Sequence, residues 1–150
     1  MNGRDFFKKY DRLIEASFVT YKHLPYLFKT TINKLAFKKD FKLLLRYFDL
    51  KNGAEKIGKN IFIGDYVRLK NIQYLSIGDN FSVHEFSYLD CIGGVKIGNN
   101  VSIAHNCSLV SFDHTWNEQD LPIKYNSTIC QEIIIGDDVW IDCGVRVLSG

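Results

Sequence analysis

Between residues 57 and 147 an aliphatic side chain returns at every sixth position, and few folds can use such a period. The runs are Ile57, Ile63, Leu69; Ile77, Val83, Leu89; Ile97, Ile103, Leu109; and Ile135, Ile141, Val147. The residue after the first aliphatic of each triplet is glycine: Gly58, Gly78, Gly98 and Gly136. An α-helix turns through 3.6 residues, so a period of six drifts around the cylinder and builds no face. A coil with three flat sides behaves differently. Each side points one aliphatic inward at the same place, and stacked coils bury a continuous apolar column while their backbones pair above and below. Glycine serves the corners, where the chain needs positive φ or has no room for a Cβ. The triplets begin 20, 20 and 38 residues apart, so two coils carry two extra residues each and the third carries about twenty. The pattern predicts a mainly β chain, a parallel β-helix over residues 54–150 with a protruding loop at 115–132.

Residues 1–53 follow another rule and read as an α-helical region. Phe6, Tyr10, Leu13, Ile14, Phe18 and Tyr21 recur at three- and four-residue steps until Pro25 breaks the run. A second run puts Phe37, Phe41, Leu44, Leu45 and Phe48 on one face, with Lys38, Lys39, Lys42 and Arg46 off it. Residues 1–50 hold 11 Lys and Arg against 5 Asp and Glu; residues 51–150 hold 8 against 12. The first third also carries 11 of the 21 aromatic residues. Two readings stay open: these faces pack on the rest of the protein, or they form a basic aromatic surface in peripheral contact with anionic lipid.

The net charge of +2 singles out no partner class, and nucleic acid is not expected. No stretch approaches the ~18 apolar residues of a membrane span, and no signal peptide precedes the helices, so a cytoplasmic protein is expected. Cys91, Cys107, Cys130 and Cys143 form no C-x-x-C pair and read as reduced thiols. The glycosylation-like triplets at Asn106 and Asn126 read as chance matches.

At I-G-N-N-V-S-I-A-H-N-C-S-L-V-S-F-D-H-T-W and I-G-D-D-V-W-I-D-C-G-V the chain resembles the hexapeptide-repeat O-acetyltransferases. Maltose, galactoside and surface-polysaccharide acetyltransferases are the nearest look-alikes, and the likeness covers residues 57–150. It implies a left-handed coil, a homotrimer with active sites between neighbouring subunits, and acetyl-CoA as donor. It implies a sugar acceptor, free, lipid-linked or nucleotide-bound, in surface or capsular polysaccharide synthesis. Relatives continue for one or two further coils, so the chain reads as truncated after Val147-Leu148-Ser149-Gly150.

His114 is the leading candidate for chemistry, because it stands where the third coil meets the long excursion. A sugar hydroxyl is a weak nucleophile, and a neutral imidazole can take its proton as it attacks a thioester. The resemblance gives a histidine at this place that role of general base. Asp113 is assigned an inward or corner slot and no part in orienting the imidazole. By the same resemblance Trp140, Asp142 and Cys143 line the acyl-CoA path, and the backbone N–H of Cys143 becomes the oxyanion donor. Relatives read W-I-G where this chain reads Trp140-Ile141-Asp142, which puts a negative charge beside an anionic donor. His84, Glu85 and Asp90 fall where relatives hold the acceptor. The loop segment Asp120–Lys124 resembles the matching stretch of polysaccharide acetyltransferases, where it can gate the site. His84, His105 and His114 lack the spacing of a three-histidine zinc site, and no metal is expected. Two rival readings are an N-acetyltransferase on an amino or nucleotide sugar and a non-catalytic solenoid fragment.

Overall fold

The computed structural model describes the backbone of residues 3–35 and 39–150, with side chains described at 9–32 and 41–150. Phe37 and Lys38 lie outside the described residues, and the side chains of Phe6 and Lys39 are likewise outside.

Four coils stack as the six-residue period requires. The first holds β1 (Lys56–Ile57), β2 (Phe62–Ile63) and β3 (Arg68–Lys70); the second holds β4 (Leu75–Ile77), β5 (Ser82–Val83) and β6 (Tyr88–Asp90). The third holds β7 (Val95–Ile97), β8 (Ser102–Ile103) and β9 (Ser108–Val110). After a hairpin of β10 (Phe112–His114) and β11 (Thr128–Cys130), the fourth holds β12 (Ile133–Ile135), β13 (Trp140–Ile141) and β14 (Arg146–Leu148). Each side is a four-stranded parallel sheet, ordered β1-β4-β7-β12, β2-β5-β8-β13 and β3-β6-β9-β14. The register stacks Ile77 on Ile97, Val83 on Ile103 and Leu89 on Leu109, so every aliphatic of the repeat joins its column. A second inward position, two residues before the first, adds Ile61, Phe81, Val101, Leu75, Val95 and Ile133 to the same core.

The corners divide their work between two residue types. A Cβ on Gly78 would come within 2.8 Å of the Gly98 backbone, and one on Gly58 within 2.5 Å of Gly78, so these glycines permit close stacking. The positive φ falls two residues later on Asn60, Asn80, Asn100 and Asp138, each at φ 57. Asparagine and aspartate tolerate this left-handed conformation best among residues with a Cβ. Their side chains form a ladder: Asn60 donates to Asn80, Asn80 to Asn100 and Asn100 to Asp138, each at 2.9 Å.

The helical region is α1 (Gly3–Lys22), α2 (Tyr26–Leu35) and α3 (Lys39–Gly53). From α1, Ile14 and Tyr21 are buried, with Tyr10 and Phe18 packed beside them; Leu13, expected on that face, is exposed. The second expected face also needs correction. Leu43, Leu45, Tyr47, Phe48 and Leu50 are buried, whereas Phe41 is exposed. α3 is sandwiched: Phe48 meets the Phe18 and Tyr21 rings at 5.5 and 5.1 Å, and the helix also packs against β1 and β2. A helix covered on two sides has no single apolar stripe. Its side chains join those of the coils in one continuous core.

Candidate active site

The excursion after the third coil opens with a strand. β10 pairs antiparallel with β11, setting Phe112 opposite Cys130 and His114 opposite Thr128. The loop expected at 115–132 is therefore a ribbon rooted at Phe112, and the six-residue count could not find it because the ribbon leaves the coil. Thr115 and Ser127 close the ribbon with a 2.8 Å backbone bond and a 3.0 Å hydroxyl-to-carbonyl bond. Beyond them the buried Asn126 side chain accepts from the Glu118 N–H and donates to the carbonyls of Glu118 and Leu121. This side chain holds the loop in shape.

His114 sits half-buried on that ribbon in a cleft of about 260 Å³, with Trp116, Asn117, Ile129, Gln131 and Ser149 in the walls. Its ring Nδ1 is buried and has no hydrogen-bond partner among the described residues. Asp113 is exposed, not inward or at a corner as its slot implied, because the ribbon turns it away from the coil. It does not orient the imidazole; its Oδ1 accepts the His114 backbone N–H at 2.7 Å.

The acceptor candidates separate into two kinds. His84 and Glu85 line an open groove of about 470 Å³ together with Phe86, Ser102, Ala104, His105 and Trp140. His84 Nδ1 lies 3.8 Å from the Glu85 carboxylate, and its ring packs 5.3 Å from that of Phe62. Asp90 is a correction. It is buried, and its oxygens accept from Asn71 at 2.6 Å, Tyr88 at 2.9 Å and Lys70 at 3.1 Å, leaving nothing for a sugar. Burial alone would raise its carboxyl, but those three hydrogen bonds and the Lys70 charge hold it below the usual aspartate range.

Trp140 follows Phe62, Ser82 and Ser102 in one outward column, and its ring is 72% exposed. Ser102, its Oγ 2.9 Å from that of the buried Ser82, lines a hollow beside the indole with Asn60, Asn80 and Asn100. The Cys143 amide needs correction. The Cys143 N–H donates to Asp142 Oδ1 at 2.7 Å, so the amide expected to await an oxyanion is already engaged.

Sequence reasoning missed His105 and Phe86 as groove residues. The signal was there: His105 lies twenty positions after Glu85, one coil further along the same corner. Phe86 stacks on Tyr66 at 5.2 Å with 5° between the rings, and both are exposed at positive φ. The groove and the His114 cleft have no lining residue in common. Among the described residues no three His, Cys, Asp or Glu side chains converge as a metal site would need. All four cysteines are free; burial, then the Asp90 charge, pushes the Cys91 thiol up to about 12, leaving it unreactive.

No family model matches the chain. It is 31% identical over 96 residues to the probable acetyltransferase Rv3034c of Mycobacterium tuberculosis, a match covering 63% of this chain and 32% of that protein. The chain thus spans about a third of that relative's length. The hexapeptide-repeat-containing acetyltransferase VCA0836 of Vibrio cholerae, solved with acetyl coenzyme A, superposes with a TM-score of 0.65 at 20% identity, over 81% of this chain and 63% of that one. A maltose O-acetyltransferase of Clostridium difficile 630 superposes with a TM-score of 0.61 at 21% identity, over 82% of this chain and 65% of that one. The architecture is that of the hexapeptide-repeat acetyltransferases.

Proposed function

We propose that this chain belongs to an acetyl-CoA-dependent O-acetyltransferase acting on a sugar hydroxyl, with His114 as general base. The observation that carries the reading is the His114 imidazole, held on a braced ribbon and lining a cleft with Trp116, Asn117 and Ile129. His114 takes the proton of the sugar hydroxyl as that oxygen attacks the thioester carbonyl. A tetrahedral adduct forms and collapses, the C–S bond breaks, and the proton passes from His114 to the departing thiolate. Acetyl-CoA, when bound, supplies the activated acyl group. The flat, exposed Trp140 beside the serine hollow fits its slender acyl-pantetheine arm. Its phosphates find no Lys or Arg among the residues lining that hollow, so their cationic contacts must come from elsewhere.

The separation of the His114 cleft from the His84–Glu85 groove supports a site completed between copies, as the homotrimer expected from the resemblance would provide. On this reading His84, Glu85 and His105 of one copy hold the acceptor for another copy's His114. Hydroxyl-rich ligands suit imidazole and carboxylate partners. Surface or capsular polysaccharide precursors, lipid-linked or nucleotide-bound, are the acceptor class we favour.

The test is acetyl transfer from acetyl-CoA to a panel of neutral sugars and matching amino sugars. His114→Ala should lower the rate about 10²- to 10⁴-fold while leaving the oligomer and its melting temperature unchanged. Transfer confined to amino sugars would replace the O-acyl reading with an N-acyl one. An unchanged rate in the His114 variant would remove that residue as the base.

A further inference from the structure

The helical region carries a surface that the fold leaves unused. In α1 the buried stripe takes Ile14 and Tyr21, and the opposite stripe exposes Lys9, Arg12, Leu13, Ala16 and Val19, with His23 exposed just past the helix end. Leu24, in the turn before α2, and Ile32 of α2 pack against the core, while the first turn of α2 projects outward. Tyr26, Leu27 and Phe28 are 77%, 75% and 62% exposed. Single exposed apolar side chains are ordinary on a soluble protein; three in a row are not. Lys29 ties the two helices, its Nζ donating to the Lys22 carbonyl at 3.3 Å, so the α1 end and the α2 start form one surface.

The charges on this surface are one-sided. Both described acidic residues of α1 point back toward the protein: Glu15 pairs with Lys51 at 2.6 Å and Asp11 with Lys59 at 3.8 Å. α2 contains no acidic residue. Lys9, Arg12 and Lys22 are exposed with no carboxylate partner among the described residues. Apolar side chains flanked by cations without carboxylate partners are what an amphipathic helix presents to a membrane interface. Among the described residues no helix is long and apolar enough to cross a bilayer, so any such contact lies on its surface.

We propose that the outer stripe of α1 and the Tyr26–Leu27–Phe28 turn dock this protein on an anionic lipid bilayer. The aromatic and aliphatic tips enter the headgroup boundary, and Lys9, Arg12 and Lys22 meet the lipid phosphates, each basic residue raising affinity about fivefold at low salt. The inference stands apart from the acyl-transfer reading, since it uses no residue of either cleft.

The experiment is flotation of the purified chain with phosphatidylglycerol-containing vesicles and, separately, with pure phosphatidylcholine vesicles. Co-flotation with the anionic vesicles alone, weakening as salt rises, is expected. Leu27→Ser combined with Phe28→Ser should weaken it about tenfold or more, because two apolar side chains no longer enter the interface. Arg12→Glu with Lys22→Glu should abolish the preference for anionic lipid. All four positions are exposed, and far-ultraviolet circular dichroism checks that the variants fold. Failure of the wild-type chain to float would overturn the proposal, as would equal binding to both vesicle types. So would a change of oligomer mass in the Leu27/Phe28 variant without lipid binding, since the surface would then be an interface between copies.

Discussion

The helical region and the solenoid bury comparable side chains but hold them by different logic. In the solenoid one local rule repeats: an inward aliphatic, a close-packed glycine, an asparagine at positive φ, and each coil contacts only its neighbours. In the helices no contact repeats. Phe48 against Phe18 and Tyr21, the Tyr21 hydroxyl on Asp49, and Lys51 on Glu15 each occur once. The Arg46–Asp65 ion pair and the α3 packing join the two regions, so the helices cap the first coil and shield its open edge. Repetition makes a region legible and locally redundant. Single-use contacts do neither.

The sharpest way to break this comparison is to damage each region with a cut of similar size. Phe48→Ala should cost about 3–5 kcal/mol and Ile103→Ala about 2–5 kcal/mol in denaturant unfolding. The two should differ in where protection is lost. Hydrogen exchange should rise chiefly in the helices and β1–β3 for Phe48→Ala, and across the second to fourth coils for Ile103→Ala. Identical exchange patterns would mean the cap and the coils unfold as one unit.

A smaller effect tests whether repeat position alone decides a residue's worth. Gly78 and Gly136 occupy the same slot, but a Cβ meets backbone at Gly78 and nothing within 4 Å at Gly136. Gly78→Ala should destabilise by about 1–3 kcal/mol, and Gly136→Ala should stay within about 0.5 kcal/mol of wild type. Equal losses would show that the slot itself, and not close stacking, demands glycine.

An effect of similar size that vanishes in acid concerns Asp90, a non-repeating polar network inside the repeat. Its carboxyl is held below the ordinary value of about 3.9, so the stability it confers is present above that pH and fades as pH falls through the lower folded value. Asp90→Asn should cost about 1–3 kcal/mol at neutral pH, with the gap from wild type closing below about pH 4. A gap that widens on acidification would mean that Asp90 is protonated in the native state.

The repeat made most of the solenoid readable in advance: the four coils, their register, the glycine slots and the outward Trp140. His114 draws attention in the sequence because it stands where the period stops, and the ribbon sets it in the wall of a cleft. The residues misread are those whose neighbours lie off the period. Asp90 reads as a polar side chain near an acceptor stretch until Asn71, Tyr88 and Lys70 close over it. Cys143 reads as a free amide until the side chain of Asp142 folds back. In α3 a one-stripe reading fails because two bodies press on it.

The sequence alone determined that residues 57–147 coil with three sides, since only that geometry keeps a six-residue aliphatic period pointing inward. Tertiary structure alone decided that His84, Glu85 and Trp140 share one groove while His114 faces another cleft. Such groupings depend on how far each coil and ribbon carries a side chain through space. Spacing along the chain records the local turn and not that distance.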